Sequence, residues 1–317
     1  MNNISINQEN NHKNHSPLVF FGSSIMSVKC LNALMSQGLK ADLIVTVPDK
    51  PMGRKLELTP NPTKVWAMEH HVPYFEFNKL NDEAFETLNN PSSKTRAKIF
   101  IVASYGKIIP ERFLNIPEFG ALNIHPSKLP ELRGASPLHQ TILNDTNNTA
   151  VSIIKMDKEM DHGALFAQKE IDIAKIANWP VGYNELELIM ANVGASLIAE
   201  NLDEYLSGTL KLHEQDHASA TFTAKINKED GLINPWLSSD KEQRNNILKI
   251  KAFEEWPGTY FFVDKIIKGE HKKIRVKIKE AQWLPNKEEG HKLKIMKVIP
   301  EGGKEMTWES FLQSVGK

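Results

Sequence analysis

Asn123 and His125 lie two residues apart in the stretch ALNIHPSKLP, residues 121–130. An amide NH2 group and an imidazole N–H that aim at one point can stabilise the negative oxygen of a tetrahedral intermediate. Pro126 and Pro130 restrict the backbone directly after the pair. Either polar residue alone is better explained as a core group bonded to the backbone, but the pair before a rigid loop favours a catalytic role.

A second group of polar residues lies in MDKEMDHGAL, residues 156–165. A carboxylate beside an imidazole is a common acid–base pair. We interpret Asp157 as a turn former and Asp161, close to Gly163, as the better partner for His125. The spacing alone does not show that Asp161 reaches the histidine.

A sheet must bring these side chains together. LVFF is a short apolar run ended by GSS, and a helical pattern and the strand ADLIVTV follow, which predicts a βαβ opening. AKIFIVASYG and GALNIH are apolar on both faces, as strands inside a parallel sheet are. The sequence therefore predicts an α/β fold with a mostly parallel, Rossmann-like sheet. Asn123 and His125 come at the carboxyl end of a strand, where such sheets place ligand clefts.

Other segments complete this α/β pattern. Asn61 is a predicted N-cap with Pro62 at the first helical position, and a helix is predicted to start near Ser136. TAVSIIKM and GALFAQKEIDI predict an antiparallel pair, and a long helix is expected from about Val181 to Ser207. The turn FFGSSIMS lacks the G-x-G-x-x-G spacing, which argues against a nicotinamide dinucleotide site.

The character of the sequence changes after this helix. GTLKLHEQDHASATFTAKINKEDG is polar, and short alternating strands separated by turns follow from Leu248, a pattern typical of a small β-barrel. We therefore predict a disordered polar tail at 1–16, an α/β domain at 17–208, a linker at 209–228 and a β domain at 229–317.

Composition excludes several classes of protein. The 317 residues have a formal net charge of zero and a single cysteine, so neither a disulfide framework nor a thiolate metal cluster is expected. The amino terminus lacks a signal-peptide core, and no apolar run is long enough to span a membrane. We expect a cytoplasmic protein that binds no metal and no membrane and is a monomer.

NIHPSKLPELRGASP followed by MDKEMDHGAL resembles the signature of the folate-dependent formyltransferases. The matching positions are an Asn and a His, a Ser-x-Leu-Pro turn, an Arg-Gly pair and a later Asp, here Asn123, His125, Ser127–Pro130, Arg133–Gly134 and Asp161. The resemblance implies that Asn123, His125 and Asp161 are catalytic and that no metal takes part. It also implies that Ser127, Lys128, Leu129 and Pro130 bind the co-substrate 10-formyltetrahydrofolate.

VTVPDKPMGRKLELTPNPTKVWA, TFTAKINKEDGLINPW and IKAFEEWPGTYF are most similar to one branch of that family. This branch transfers the formyl group to the α-amino group of methionine esterified to initiator tRNA, for translation initiation. The resemblance implies attack of the amine on the formyl carbon, an oxyanion stabilised by Asn123 and His125, and assistance by Asp161. It also implies that 17–208 is the catalytic domain and that 229–317 is an OB-like, tRNA-binding β-barrel.

Two basic segments are candidates for the tRNA contacts. Alternation in KIRVKIK places Lys273, Arg275 and Lys277 on one face of a strand, although a solvated charged face also explains this pattern. The loop VPDKPMGRKLEL supplies Arg54 and Lys55; Lys55 stands where the family usually has a second Gly.

Two alternatives remain open. One is a formyltransferase that acts on a nucleotide-linked amino sugar or on glycinamide ribonucleotide, although a glycinamide enzyme lacks the C-terminal domain. The other is a tRNA- or folate-binding protein without catalytic activity, against which Asn123, His125 and Asp161 argue.

Overall fold

The structure is a computed structural model that describes residues 17–53, 56–90, 97–267, 270–286 and 290–315. The predicted tail at 1–16 and the predicted tRNA contacts Arg54 and Lys55 lie outside the described residues. The chain divides into two compact units, residues 1–123 and residues 124–317.

The first unit is an α/β layer structure. Its strands pair in parallel in the order β7-β6-β1-β2-β5, and β3 and β4 form a small antiparallel hairpin. The strands are β1 (Leu18–Phe21), β2 (Leu43–Thr46), β3 (Lys50–Met52), β4 (Glu57–Thr59), β5 (Tyr74–Glu76), β6 (Ile99–Val102) and β7 (Ala121–His125). The helices are α1 (Ile25–Ser36), α2 (Pro62–Glu69), α3 (Asp82–Leu88) and α4 (Glu111–Leu114).

Burial explains why these segments are strands. Every residue of β1, β2 and β6 is buried, as expected for central strands of a parallel sheet that is covered on both faces. The side chain of Asn61 accepts a hydrogen bond from the Lys64 N–H, which confirms Asn61 as the N-cap of α2. The predicted mostly parallel α/β sheet is thus confirmed.

The second unit begins within β7. It adds β9 and β10 in the order β10-β9-β7, with β10 antiparallel to β9, and it contains the antiparallel sheet β12-β13-β14-β15 and the parallel pair β8-β11. The strands are β8 (Arg133–Gly134), β9 (Asn148–Lys155), β10 (Leu165–Asp172), β11 (Phe222–Thr223), β12 (Tyr260–Ile267), β13 (Glu270–Asn286), β14 (Gly290–Pro300) and β15 (Met306–Thr307). The helices are α5 (Pro137–Leu143), α6 (Tyr183–Leu206), α7 (Asp240–Ala252) and α8 (Trp308–Ser314).

The C-terminal antiparallel sheet has one apolar and one polar face. Its apolar side chains pack with the fully buried Phe311 of α8, and the cluster includes Phe261, Val276 and Val298. The predicted alternation in β13 is confirmed, since Ile274, Val276 and Ile278 are buried while the intervening charged side chains face outward. Closure of this sheet into an OB-like barrel stays a prediction.

An ion pair joins α7 to the end of α5. Arg244 donates from Nε and Nη2 to the two carboxylate oxygens of Asp145 at 2.8 and 2.7 Å, and Trp179 donates to the same carboxylate at 2.8 Å. The Arg244 hydrogen bonds hold the pKa of Asp145 below its usual value, against a smaller opposing effect of burial.

We expect Asp145→Asn to destabilise the protein at neutral pH by about 1–2 kcal/mol, because a charge-assisted pair is lost. Asn also tolerates the left-handed φ of +51° at this position. A depressed folded-state pKa stabilises the fold above the pKa of the unfolded chain, and this contribution is lost as the pH falls through the folded-state value. The difference between wild type and variant in urea unfolding should therefore shrink from pH about 5 to about 3.

Asp82→Asn is the matched control for this experiment. Its carboxylate pairs with Arg112 at the surface, where the Asp82 side chain is 90% exposed. Exposed ion pairs of this kind contribute little to stability. An Asp145 variant that unfolds like the Asp82 control at every pH would contradict the assigned role of the Arg244 pair.

Candidate active site

His125 ends β7 and is almost completely buried, with 4% of its surface exposed. Its Nε2 lies 3.2 Å from the carbonyl oxygen of Leu132, in the loop that follows the strand. Its Nδ1 lies 3.5 Å from a carboxylate oxygen of Asp161, which comes from the turn between β9 and β10. The structure thus brings together the imidazole and the carboxylate, whose proximity the sequence left open.

The Asp161 carboxylate contacts the backbone of β8 as well as His125. Its second carboxylate oxygen accepts the Gly134 N–H at 2.7 Å, and a backbone N–H can only donate. The two ring nitrogens of His125 thus each face an oxygen, one of the Leu132 carbonyl and one of the Asp161 carboxylate. The Nδ1–carboxylate distance of 3.5 Å exceeds a normal N–H···O length.

Asn123 lies on the same face of β7 as His125. Successive side chains of a strand point to opposite faces, so residues two apart share a face. The Asn123 side chain is half-buried, and its backbone pairs in register with Val102 of β6. Strand geometry therefore directs an amide and an imidazole to the same side of the sheet.

The loop after β7 is held by hydrogen bonds inside the protein. The Ser127 hydroxyl donates to the Glu131 carbonyl at 2.7 Å, and the Ser152 hydroxyl donates to the Ser127 carbonyl at 2.7 Å. The Leu129 N–H donates to Ser152 Oγ at 3.1 Å, and the Leu129 carbonyl accepts from Gln168 at 2.9 Å. Sequence reasoning missed Ser152 and Gln168, although a serine within the buried, apolar strand β9 was a usable signal.

These contacts separate the four predicted folate-binding residues into two pairs. Ser127 and Leu129 are buried at 0% and 2% exposure, so they shape the loop from inside. Lys128 and Pro130 keep accessible surface, and the Lys128 ammonium pairs with Glu170 at 2.6 Å. The accessible members of the loop are therefore the better placed for a direct contact with a ligand.

The predicted basic residues lie on the outward face of β13. Lys273 and Lys277 are exposed and Arg275 is half-buried. The Lys273 ammonium lies 5.3 Å from the centre of the Phe262 ring, and the Arg275 guanidinium lies 5.1 Å from the centre of the Tyr260 ring. The sequence predicted the basic face but missed the aromatic rings of β12 beside it, which follow the same alternation.

Within the ranges that the structure covers, no group of three or more His, Cys, Asp or Glu side chains is arranged to hold a metal ion. None of the helices in those ranges combines the length and the apolar character that crossing a bilayer requires.

Comparison with known proteins gives consistent matches. The family profile described as "Formyl transferase" matches residues 17–179. A protein named methionyl-tRNA formyltransferase from Thermotoga maritima is 36% identical over 250 residues, which cover 78% of this chain and 76% of that protein. The protein of the same name from Carboxydothermus hydrogenoformans is 34% identical over 314 residues, 93% of this chain and 95% of that one.

A solved structure supports the fold. The N-formyltransferase from Helicobacter canadensis, in complex with folinic acid and dTDP-3-aminofucose, superimposes with a TM-score of 0.57 at 17% identity. The match covers 88% of this chain and 98% of that chain. At this identity the likeness shows the fold alone. From the family profile and the two sequence relatives, the chain belongs to the formyl transferase family, and within it to the methionyl-tRNA formyltransferases.

Proposed function

We propose that this protein transfers the formyl group of 10-formyltetrahydrofolate to the α-amino group of methionine on initiator tRNA, for translation initiation. The names of the two sequence relatives support this acceptor, and the folinic acid in the similar structure supports a folate donor. The observation that carries the proposal is the pairing of His125 with Asp161 at the end of β7. A free amine is already a good nucleophile, so no covalent enzyme intermediate is needed.

The first step is attack of the amine on the formyl carbon. A C–N bond forms, the C=O π electrons move to oxygen, and a tetrahedral intermediate with an oxyanion results. The Nδ1–H of His125 and the side-chain NH2 of Asn123 donate hydrogen bonds to this oxygen. Each donor of this kind contributes roughly 2.7–4 kcal/mol to transition-state stabilisation.

Proton transfer completes the reaction. The attacking nitrogen becomes positively charged as its bond forms, and the Asp161 carboxylate accepts one of its protons. When the oxyanion re-forms the carbonyl, the bond to N10 of the folate breaks, and the same proton passes to that nitrogen. The products are the formylated amine and tetrahydrofolate, and Asp161 returns to its ionised form.

We propose that the folate binds next to His125 and Asp161. The loop from Ser127 to Pro130 follows His125 directly, so a folate held there presents its formyl carbon near Nδ1. Ser127 and Leu129 keep the loop in shape from inside, and Lys128 and Pro130 provide the accessible surface. Holding both substrates in register supplies much of the remaining rate acceleration.

The acceptor requires a basic surface. We propose that residues 229–317 form an OB-like, tRNA-binding domain, that residues 17–208 form the catalytic domain, and that 209–228 connect them. Lys273, Arg275 and Lys277 would contact phosphates, and Arg54 and Lys55 would add to them. Aromatic rings beside cations suit nucleic acid because they offer stacking surfaces. We also propose that the protein acts as a cytoplasmic monomer.

The direct test is an acceptor assay with purified protein. With 10-formyltetrahydrofolate as donor, we expect formyl transfer to methionyl initiator tRNA and none to free methionine. Nucleotide-linked amino sugars and glycinamide ribonucleotide serve as competing acceptors. Faster transfer to either of these than to the tRNA would contradict the proposed acceptor.

Replacing Lys273, Arg275 and Lys277 together by Gln should raise the KM for tRNA by roughly tenfold or more, because phosphate contacts are lost. The slope of log KM against log salt should fall by about two to three. The KM for the folate should not change. Lys297→Gln is the matched control: Lys297 lies on the same sheet, but Glu280 and Glu305 already offset its charge. Equal tRNA KM values for the two variants would contradict the assignment.

A further inference from the structure

The chain segment after α6 runs beside the loop that follows β7. The carbonyl of Thr221 accepts the Arg133 N–H at 2.9 Å, and the Thr221 N–H donates to the Pro130 carbonyl at 3.2 Å. The Thr221 hydroxyl oxygen accepts the Leu132 N–H at 2.9 Å. A segment that the sequence marks only as polar is therefore hydrogen-bonded to the loop that follows His125.

Gln215 of the same segment holds the turn that carries Asp161. Its side-chain NH2 donates to the Asp161 carbonyl at 3.0 Å and to the Gly163 carbonyl at 2.7 Å. Only 5% of the Gln215 surface is exposed. The buried side-chain amide of Gln215 thus donates both of its hydrogens to backbone carbonyls, one on each side of His162.

Arg133 holds the other end of the Gln215 amide. Its Nη2 and Nε donate to Gln215 Oε1 at 2.6 and 3.3 Å, and Nη2 also donates to Nδ1 of His217 at 2.9 Å. Arg133 is 4% exposed and lies next to Gly134, whose N–H binds the Asp161 carboxylate. The guanidinium therefore fixes the orientation of the amide, because an oxygen must face it and the NH2 must face the turn.

The turn needs such a restraint. Asp161 has a φ of +53°, a left-handed backbone conformation that is unfavourable for a residue with a side chain. Gly163 is packed so closely that a Cβ there would lie 1.9 Å from the Lys155 carbonyl oxygen. Two bonds from Gln215 bracket this strained stretch at both ends.

We infer that Gln215 is a positioning residue, which fixes the Asp161 backbone so that the carboxylate faces His125. Gln215 is placed to touch the turn and not the reacting atoms, and it acts through Asp161. The expected effect of Gln215 on the reaction rate rests on the proposed function, whereas its expected effect on the turn does not. It also makes the segment between the two proposed domains a part of the catalytic site.

Two variants test the inference. Gln215→Leu removes all four hydrogen bonds, and Gln215→Glu keeps an oxygen for Arg133 but turns a second oxygen toward two carbonyls. Both should lower kcat by about 100-fold, the size of effect expected for displacing a catalytic group by about 1 Å. The KM for 10-formyltetrahydrofolate should be unchanged. Hydrogen exchange of the amides in residues 157–163 should be faster in both.

Gln243→Leu is the matched control. Gln243 also bridges two backbone groups, since it donates to the Ser238 carbonyl and accepts from the Leu293 N–H. We expect its variant to lose thermal stability but to keep the wild-type kcat. If kcat fell equally in the Gln243 and Gln215 variants, Gln215 would have only a general structural role. That result would overturn the inference.

A double-variant cycle separates positioning from general damage. Introduced into Asp161→Asn, Gln215→Glu should cause no further loss of kcat, because its target is already disabled. A full additional loss would overturn the inference. If the wild type transfers no formyl group, the proposed function fails, and the exchange rates of residues 157–163 alone decide whether Gln215 restrains the turn.

Discussion

His125→Ala is expected to lower kcat by about 1,000-fold, because it removes a hydrogen-bond donor to the developing oxyanion. Loss of the ring also leaves the Leu132 carbonyl and the Asp161 carboxylate without their imidazole partner. The effect should appear in kcat and kcat/KM alike, as expected when an interaction exists only in the transition state. Single-turnover formylation of methionyl tRNA measures it directly.

Folate binding distinguishes catalysis from unfolding in this variant. Titration with folinic acid should give the wild-type affinity, because the loop from Ser127 to Pro130 is held by Ser152 and Gln168 and not by the histidine. His213→Ala is the matched control, since the His213 side chain is exposed and only its backbone pairs with Leu165. Wild-type turnover in the His125 variant would remove the proposed oxyanion donor.

The strands could be predicted from the sequence because burial gives them regular patterns of apolar residues. The apolar runs LVFF and IFIV are β1 and β6, and TAVSIIKM and GALFAQKEIDI pair as β9 and β10. Alternation also placed Lys273, Arg275 and Lys277 on one face of β13. In each case neighbouring residues carry the signal, so one chain is enough to read it.

The hydrogen bonds that hold the candidate site in place could not be predicted in the same way. Gln215, Thr221 and Thr223 lie in a polar, Gly- and Thr-containing segment, which composition marks as exposed. All three side chains bind backbone groups close to the candidate site, and of the three only Gln215 is buried, because a satisfied polar group can be buried at little cost. Composition cannot distinguish a side chain that binds water from one that binds a distant carbonyl.

The loop after β7 was predicted in part. Proline at positions 126 and 130 indicated a rigid turn, and the turn lies directly after His125. The direction of its side chains was not predictable, because Ser127 turns inward to Glu131 while Lys128 stays at the surface. Which groups of a turn face a ligand depends on tertiary contacts with β9 and β10, which are more than 20 residues away along the chain.

The position of the Gln215 segment changes how the C-terminal part can be studied. Removing everything beyond α6 would also remove Gln215 and the β11 partner of β8. Such a deletion would disable the candidate active site whatever the role of the C-terminal sheet. Point substitutions on the outward face of β13 therefore test tRNA binding more cleanly than a truncation does.

Asp161→Asn should be the other severe variant, with a fall in kcat on the order of 1,000- to 10,000-fold by analogy with amide replacement of a histidine-orienting aspartate. The Asn oxygen can still accept the Gly134 N–H, and Asn tolerates the left-handed φ of +53°. The Asn NH2 then faces His125 Nδ1 and favours a ring that accepts there. The ring can no longer donate to the oxyanion, and the acceptor for the amine proton is lost.

Asp157→Asn is the control for this variant, because its carboxylate lies in the same turn. It accepts hydrogen bonds from His162 Nδ1 at 2.7 Å and from the Glu159 N–H at 2.8 Å, which is the role of a turn former. We expect Asp157→Asn to lower thermal stability and to leave kcat near the wild-type value. Asp161→Asn should instead lower kcat and leave thermal stability near the wild-type value.

In a double variant with His125→Ala, Asp161→Asn should add little further loss of kcat, because the two side chains act as one unit. Multiplying losses in the double variant would show that Asp161 and His125 act independently.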